Sequence, residues 1–178
     1  MHAVSDFADF ICELDHLKAV KRQITLPCDN YRQENSAEHS WHVALMANML
    51  SQYAAKPIDV SRVIRMILIH DIVEIDAGDM FAFNHQADHD EQAEKELAAA
   101  KRIFGLLPSP LDSEMLSLWL EFEAAETADA EFAKAMDRVL PVFQNMKDNG
   151  GSWKRHNISR EKIEKRNAHL KTCAPALW

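Results

Sequence analysis

The sequence contains few glycines, prolines and cysteines, and it has no long apolar run. Four glycines and six prolines among 178 residues are too few for the frequent turns of a β-sandwich or barrel. The cysteines, Cys12, Cys28 and Cys173, are odd in number and have no CxxC spacing, which predicts reduced thiols in a cytoplasmic protein. No apolar segment approaches the length of a membrane span, and the first residues lack the pattern of a signal peptide, so no membrane partner is expected.

Basic clusters are also missing. The formal net charge is −8, and the lysines and arginines form no run or stripe, so a nucleic-acid polymer is not expected as a partner. An acidic protein can still bind a small phosphate ester when a metal ion and one or two arginines supply local positive charge. Composition therefore favours a small-molecule ligand over a polymer.

The residues that are abundant favour helices. Hydrophobic residues make up 47% of the chain, and Ala, Leu, Glu, Lys and Met are plentiful. Apolar positions recur at helical spacing, and no segment alternates well enough to predict a strand. The expected fold is an all-α, single-domain orthogonal helical bundle covering 1–178. Helices are predicted at about 6–21, 36–54, 57–78, 89–104, 112–125, 129–147 and 159–170, with loops at 22–35 and 79–88.

Local signals support several of these helix ends. Asn35 followed by Glu38 resembles a capping box and predicts the start of the second helix. Gly78 is a natural stop for the third helix, and Ser159 is a suitable cap for the last one. Pro141 predicts a kink in the sixth helix.

The pair His70–Asp71 lies inside the apolar segment 66–73 and is the strongest chemical signal in the chain. A buried carboxylate without a partner is strongly disfavoured, so a partner is expected. A divalent metal satisfies a neutral imidazole and a carboxylate together. The alternative is a core histidine that is hydrogen-bonded to a neighbour, with Asp71 in a salt bridge.

Two more polar residues are predicted on apolar helix faces. His39 lies early in the second helix, and Asp137 lies in the sixth helix on the face of Met136 and Leu140. Two imidazoles and two carboxylates from three helices can enclose one octahedral metal and leave positions open for water and substrate. A structural zinc site would be closed and richer in cysteine.

Two acidic residues follow the His70–Asp71 pair. Glu74 comes one helical turn after His70 and can orient or deprotonate water beside a metal. Asp79 follows in the predicted loop and can support the same site. Ordinary solvation near the end of a helix is the alternative for both carboxylates.

Two longer strings extend this pattern. The segments 32–40 (RQENSAEHS) and 70–79 (HDIVEIDAGD), followed by the distant Asp137, resemble the H…HD…D signature of the HD-domain metal-dependent phosphohydrolases. The resemblance is closest to the branch that contains bacterial 5′-deoxynucleotidases and their eukaryotic HD-domain relatives. It extends over nearly the whole chain, including 17–22 and 135–138.

The resemblance implies a set of site residues. It implies that Glu74 positions or activates the attacking water, that Asp79 has a role in substrate binding and catalysis, and that Arg22 contacts the phosphate. It implies hydrolysis of (deoxy)nucleoside 5′-monophosphates to nucleoside and phosphate, and a homodimer. The cofactor would be one divalent metal ion (Mn, Co, Mg, Ni, Fe or Zn), which the residues matching the family's ligands would hold: His39, His70, Asp71 and Asp137.

Some positions depart from the family pattern. Gln23 follows Arg22 where the bacterial deoxynucleotidases carry an aromatic residue that crowds the sugar, so the selection against a ribose 2′-hydroxyl is open. The predicted loop after Asp79 is individual to this chain. An aromatic residue there could stack on a base and a histidine could contact phosphate, or these residues could be loop-packing and surface residues: Phe81, Phe83, His85 and His89.

Three residues near the second helix need separate interpretation. His42 shares a helical face with His39, but the family motif requires no histidine there, so a supporting or core role is expected. Glu34 is expected to fix the preceding loop. For Arg32 the sequence leaves both a structural role and a phosphate contact open.

Other functions remain as alternatives. An HD phosphodiesterase, a nucleotide-alarmone hydrolase or an HD di-iron oxygenase would usually need further histidines or basic motifs, for which only His85 and His89 are candidates. A non-catalytic metal- or nucleotide-binding protein is the alternative from a different class. The presence of Glu74 and Asp79 argues against it, because holding the metal requires neither residue.

Overall fold

The computed structural model describes residues 2–84 and 86–178 of the chain. Short 3-10 turns connect many of the regular elements. The elements are α1 (Ala8–Glu13), β1 (Lys21–Leu26), β2 (Arg32–Asn35), α2 (Ser36–Leu50), α3 (Val60–His70), α4 (Glu74–Ala77), α5 (Gln86–Phe104), α6 (Leu111–Ala124), α7 (Ala128–Lys147), α8 (Gly151–Arg155), α9 (Arg160–Asn167) and α10 (Leu170–Cys173).

The predicted helical class is confirmed. Helix α3 is central, because it packs against α2, α6 and α7. The core includes Ile67 of α3, Phe122 of α6 and Met136 of α7, each almost completely buried. The burial of such large apolar side chains is the main stabilising contribution to a bundle of this kind. No helix within the described ranges is both long and apolar enough to cross a membrane.

The prediction that the chain contains no strand is wrong for 21–35. There, β1 and β2 form a small antiparallel hairpin, with Thr25 opposite Gln33 and Leu26 opposite Arg32. Asn30 has a φ of 50°, and the backbone N–H of the next residue donates to the Leu26 carbonyl at 3.0 Å. The turn signals at 27–30 were therefore valid, but the strands around them are too short and polar to show period-two alternation. The register is irregular between Lys21 and Thr25, the segment that carries Arg22.

The predicted third helix is not continuous. It begins at Val60, after Asp59 accepts a hydrogen bond from the Arg62 N–H at 3.2 Å. A 3-10 turn over Asp71–Val73 then separates α3 from α4. The tighter winding of this turn changes the directions of the Asp71 and Glu74 side chains relative to His70. As predicted, Gly78 ends the segment, and its φ of 74° is one that glycine adopts without steric strain.

The other helix boundaries show smaller differences. The predicted start of α2 is confirmed, because Asn35 Oδ1 accepts from the Glu38 N–H at 2.9 Å and Glu38 accepts from the Asn35 N–H at 3.3 Å. Ser159 caps α9, as predicted, and Pro141 lies within α7. The prediction of one long helix is wrong at both chain ends. The predicted helix 6–21 is α1 with flanking 3-10 turns up to residue 19, and Lys21 already belongs to β1. Helix α8 was not predicted, and 159–170 is divided between α9 and α10.

Candidate metal centre

Three of the four predicted metal ligands meet between three packed helices. His39 comes from α2, His70 from the end of α3 and Asp137 from the middle of α7. One possible ligand atom from each residue lies within 4.8 Å of the others. Both histidines are buried, and Asp137 is partly buried. The group forms because each residue lies on the inward face of its helix.

The fourth predicted ligand, Asp71, lies beside this group. Its Oδ1 is 2.9 Å from His70 Nε2, and its Oδ2 accepts a hydrogen bond from Arg22 Nη1 at 2.7 Å. Asp137 Oδ1 lies 2.9 Å from His39 Nε2 and 3.5 Å from His70 Nε2. Burial alone would raise the pKa of Asp137, but its contacts with His39 and His70, which are attractive when these imidazoles are protonated, outweigh burial and hold that pKa well below its usual range.

The ring orientations of the two histidines fit a metal ion. His70 Nδ1 lies 2.6 Å from the Ile67 carbonyl, which can only accept, so in the neutral ring Nδ1 carries the proton and Nε2 presents a lone pair. This buried Nε2 has no geometrically good hydrogen bond and faces carboxylate oxygens. Acceptors that face one another are electrostatically unfavourable unless a cation or a proton lies between them. A divalent metal fits this donor set.

Glu34 supports the ring of His39. Its Oε2 lies 3.3 Å from His39 Nδ1, and its Oε1 accepts from Gln144 Nε2 at 2.7 Å. A carboxylate behind a metal-ligating histidine fixes the tautomer and the ring orientation. The sequence predicted only a loop-fixing role for Glu34. Its burial between two helices could not be read from a polar string.

Arg22 lies among three carboxylates. Besides its 2.7 Å hydrogen bond to Asp71, its Nη1 is 3.8 Å from Glu74 Oε1 and 3.7 Å from Asp79 Oδ1. Burial by itself would lower the pKa of this guanidinium, but the surrounding carboxylates, chiefly Asp71 and Glu74, raise it. The predicted residues Arg22, Glu74 and Asp79 are therefore brought together at one end of the metal group.

Glu74 is held in an unusual environment. Ser36 Oγ donates a hydrogen bond to its Oε2 at 2.5 Å, and the side chain is buried. Burial and the neighbouring charge of Asp71 raise the pKa of Glu74 well above its usual range. Burial also raises the pKa of Asp79. Carboxylates with a raised pKa are suited to accept a proton near neutral pH.

Other candidate residues lie away from the metal group. Arg32 forms a bidentate ion pair with Glu38 and contacts Asp29 on the surface, so its structural role is the one that the geometry supports. His42 is exposed and its ring faces Trp41 at 5.9 Å, which does not support the supporting or core role expected for it. His89 is the exception, because it lines a cavity that also borders His70 and Asp71. His85 lies outside the described residues.

Two cavities adjoin the candidate centre. The larger, of about 290 Å³, includes His70, Asp71 and Glu74 in its lining. The smaller, of about 90 Å³, extends towards Trp153 and towards Phe81 and Phe83, whose rings pack edge to face at 5.5 Å. The two cavities share lining residues at their junction, among them Arg22, Asp79, Asp137, Arg138 and Arg166. The sequence interpretation missed Arg138 and Arg166.

Comparisons with known proteins agree with this arrangement. A family model described as HD domain matches residues 14–178. A solved structure from Magnetospirillum magnetotacticum, named as a predicted metal-dependent phosphohydrolase, shares 45% identity and superposes with a TM-score of 0.91, covering 98% of this chain and 86% of that one. A Pyrococcus furiosus structure of 21% identity and TM-score 0.65, covering 96% of this chain and 98% of that one, shares the fold.

Curated relatives carry a functional name. The human protein named 5′-deoxynucleotidase HDDC2 is 28% identical over 143 residues, which are 80% of this chain and 68% of that protein. The Xenopus laevis protein of the same name is 33% identical over 118 residues, 64% of this chain and 57% of that protein. The matched regions thus span between just over half and about two thirds of these relatives.

Proposed function

This chain belongs to the HD-domain family, and we propose that it is a metal-dependent phosphohydrolase that converts (deoxy)nucleoside 5′-monophosphates to nucleoside and phosphate. The names of the human and Xenopus relatives support the nucleotide substrate, and the name of the Magnetospirillum structure supports metal-dependent phosphohydrolysis. The observation that carries the proposal is geometric. Arg22 and Asp137 line the junction of the two cavities, His70 and Glu74 line the larger cavity, and His39 lies behind them within the same ligand group.

The proposed metal ligands are His39, His70, Asp71 and Asp137. Their nitrogen and oxygen atoms suit several divalent ions, so the donor set leaves the ion's identity open among Mn, Co, Mg, Ni, Fe and Zn. When bound, such an ion supplies Lewis-acid polarisation of a phosphoryl oxygen. The carboxylate of Glu34, 3.3 Å from His39 Nδ1, would favour the His39 tautomer that directs the Nε2 lone pair towards the centre.

The remaining residues would activate the attacking water and balance the charge of the substrate. Glu74 would take the proton of the attacking water, and Ser36 would hold the receiving carboxylate in place. Arg22 would offset the charges of Asp71, Glu74 and Asp79, so that an anionic substrate can approach them, and would contact its phosphate. Asp79 is proposed as a substrate contact at the cavity junction.

The proposed activity can be tested by phosphate release. We expect release from 5′-monophosphates in the presence of Mn²⁺, Co²⁺ or Mg²⁺, and none after chelation. The panel should contain 5′-deoxynucleotides, 5′-ribonucleotides, 3′-nucleotides, cyclic diesters and an aryl phosphate, with Asp71→Ala measured beside the wild type. Because Gln23 lines the smaller cavity, the ratio of deoxyribose to ribose turnover would show how the sugar is selected.

The same panel separates the alternatives. Release only from diesters would favour a phosphodiesterase, and release from no substrate by protein with bound metal would contradict the proposed hydrolase. A non-catalytic binding protein would bind nucleotides without releasing phosphate. Within the described residues the compact ligand group contains two histidines, which gives no support to a histidine-rich second metal site.

We also propose that the protein forms a homodimer through α2. The outer face of this helix carries the apolar residues Trp41, Leu45 and Met49 at every fourth position, with exposed fractions of 63%, 43% and 58%. A regular exposed apolar stripe is typical of an interaction surface. The predicted cytoplasmic location remains part of the proposal. It is consistent with the three unpaired thiols.

Charge on this stripe should disrupt the dimer. We expect wild-type protein to sediment as a dimer and the double variant Trp41→Glu/Met49→Glu to sediment as a monomer with unchanged helix content, because carboxylates are poorly tolerated in an apolar interface. Leu120→Glu, at an exposed apolar position of α6, is the matched control and should remain dimeric. A wild-type monomer, or a dimer that survives the double substitution, would exclude this surface.

A further inference from the structure

Two arginines at the cavity junction have no anionic partner among the residues that the structure describes. In the described part of the chain neither Arg138 of α7 nor Arg166 of α9 forms an ion pair. Arg138 Nη1 reaches only the Arg166 carbonyl, and Arg166 Nη1 reaches only the Ala82 carbonyl, both at a long 3.4 Å. A guanidinium has five N–H donors, so most of these donors have no protein acceptor.

Arg22, by contrast, has its positive charge shared among three carboxylates. Its Nη1 lies within 4 Å of Asp71, Glu74 and Asp79, and it makes its close hydrogen bond to Asp71. Because these carboxylates offset its charge, Arg22 alone cannot balance a doubly charged phosphate group, even where it contacts that group. Further donors are therefore needed at the junction, and Arg138 and Arg166 have them.

The surroundings of Arg166 favour the entry of an anion. The side chain is half-buried, and its guanidinium lies 5.9 Å from the centre of the Phe83 ring. Burial lowers the pKa of Arg166, the charge of Asp137 opposes this effect, and the positive charges of Arg138 and Arg22 add to it. An anion placed between these guanidinium groups would relieve their mutual repulsion.

We propose that Arg138 and Arg166 form an anion subsite that binds the phosphate group of the nucleotide and the inorganic phosphate product. Both residues line both cavities and share that lining with the candidate ligand Asp137. Assigning the anion to a substrate phosphate rests on the proposed function, whereas the anion site itself rests on the unpaired guanidinium groups. Two planar guanidiniums can donate paired hydrogen bonds to phosphate oxygens, which fixes both position and orientation.

Inorganic phosphate is the probe for this subsite. In Mn²⁺-loaded full-length protein, we expect Arg138→Gln and Arg166→Gln each to weaken phosphate binding, measured by calorimetry, about tenfold or more, because each removes charge-assisted hydrogen bonds. The matched control is Arg160→Gln, on the same helix as Arg166. The Arg160 side chain is 89% exposed and pairs with Glu164 on the surface, so its loss should change phosphate affinity by less than about twofold.

Steady-state kinetics gives a second readout. The two glutamine variants should raise KM for a 5′-monophosphate and raise the inhibition constant of phosphate, while the inhibition constant of the uncharged nucleoside stays unchanged. Arg166→Lys, which keeps the charge but loses the planar fork, should fall between wild type and Arg166→Gln. If Arg166→Gln does not fold, Arg138→Gln and Arg166→Lys test the same subsite.

The outcomes separate this inference from the proposed function. Unchanged phosphate affinity in folded variants would overturn the subsite, and a lower melting temperature with unchanged affinity would assign the arginines to packing of α9. Phosphate binding that depends on both arginines, in a protein that hydrolyses no nucleotide, would support the subsite and contradict the proposed function. Nucleotide hydrolysis together with phosphate binding that does not depend on the arginines would support the proposed function and contradict the subsite.

Discussion

Asp137→Ala is expected to abolish metal binding at the candidate centre and to reduce phosphate release by about a thousandfold or more, the effect of losing several kcal/mol of transition-state stabilisation. Asp137 Oδ1 lies close to both imidazoles, at 2.9 Å from His39 Nε2 and 3.5 Å from His70 Nε2. Without it, two neutral imidazoles and Asp71 remain, and the group loses one of its two negative charges. Elemental analysis should find about one metal ion per wild-type chain and far less in the variant.

Thermal melting supplies an independent readout for this substitution. A ligand that binds only the folded state raises the melting temperature, so adding Mn²⁺ should stabilise the wild type and leave Asp137→Ala unchanged. Glu131→Ala is the matched control. It removes another carboxylate of α7, one that pairs with Lys56 at 3.0 Å on the surface, where ion pairs contribute little. A full metal content in Asp137→Ala would contradict the proposed ligand set.

The proximity of the three candidate ligands was predictable, because helical periodicity indicates which residues lie on the inward face of each helix. His39, His70 and Asp137 stand among residues whose spacing places them towards the core, and a polar residue in such a position needs a partner. The sequences of the three helices do not specify how the helices pack. Polar side chains that all face one small core must nevertheless lie close to one another. The structure brings these three together, as expected.

The features that the sequence did not predict depend on tertiary packing. The hairpin places Arg22 beside Asp71, yet a short polar strand has no distinctive pattern in the sequence. The 3-10 turn at Asp71–Val73 interrupts a string that reads as continuous helix. Arg166 belongs to a short, highly polar helix that suggests a solvated surface, and only the packing of α9 on α7 turns that arginine towards the cleft.

Glu74→Gln is expected to lower turnover by about a hundredfold to ten-thousandfold, the range for loss of a general base, while the metal stays bound. Glutamine has nearly the shape of glutamate and can still accept the hydrogen bond from Ser36, but it cannot take a proton from water. Because Glu74 is not among the proposed ligands, metal content and melting temperature should stay close to wild type. Turnover should be measured at saturating nucleotide, with metal content determined on the same samples.

Asp76→Asn is the matched control for this substitution, since it makes the same change two residues along α4. Asp76 pairs with Arg102 on the outer surface, so its neutralisation should leave turnover within about twofold of wild type. If Glu74→Gln kept full turnover, Glu74 would not be the base. If it lost the metal as well, the carboxylate would act as a ligand. A large fall in turnover with metal retained is the result that only a role in water activation explains, because a purely structural site would have no turnover to lose.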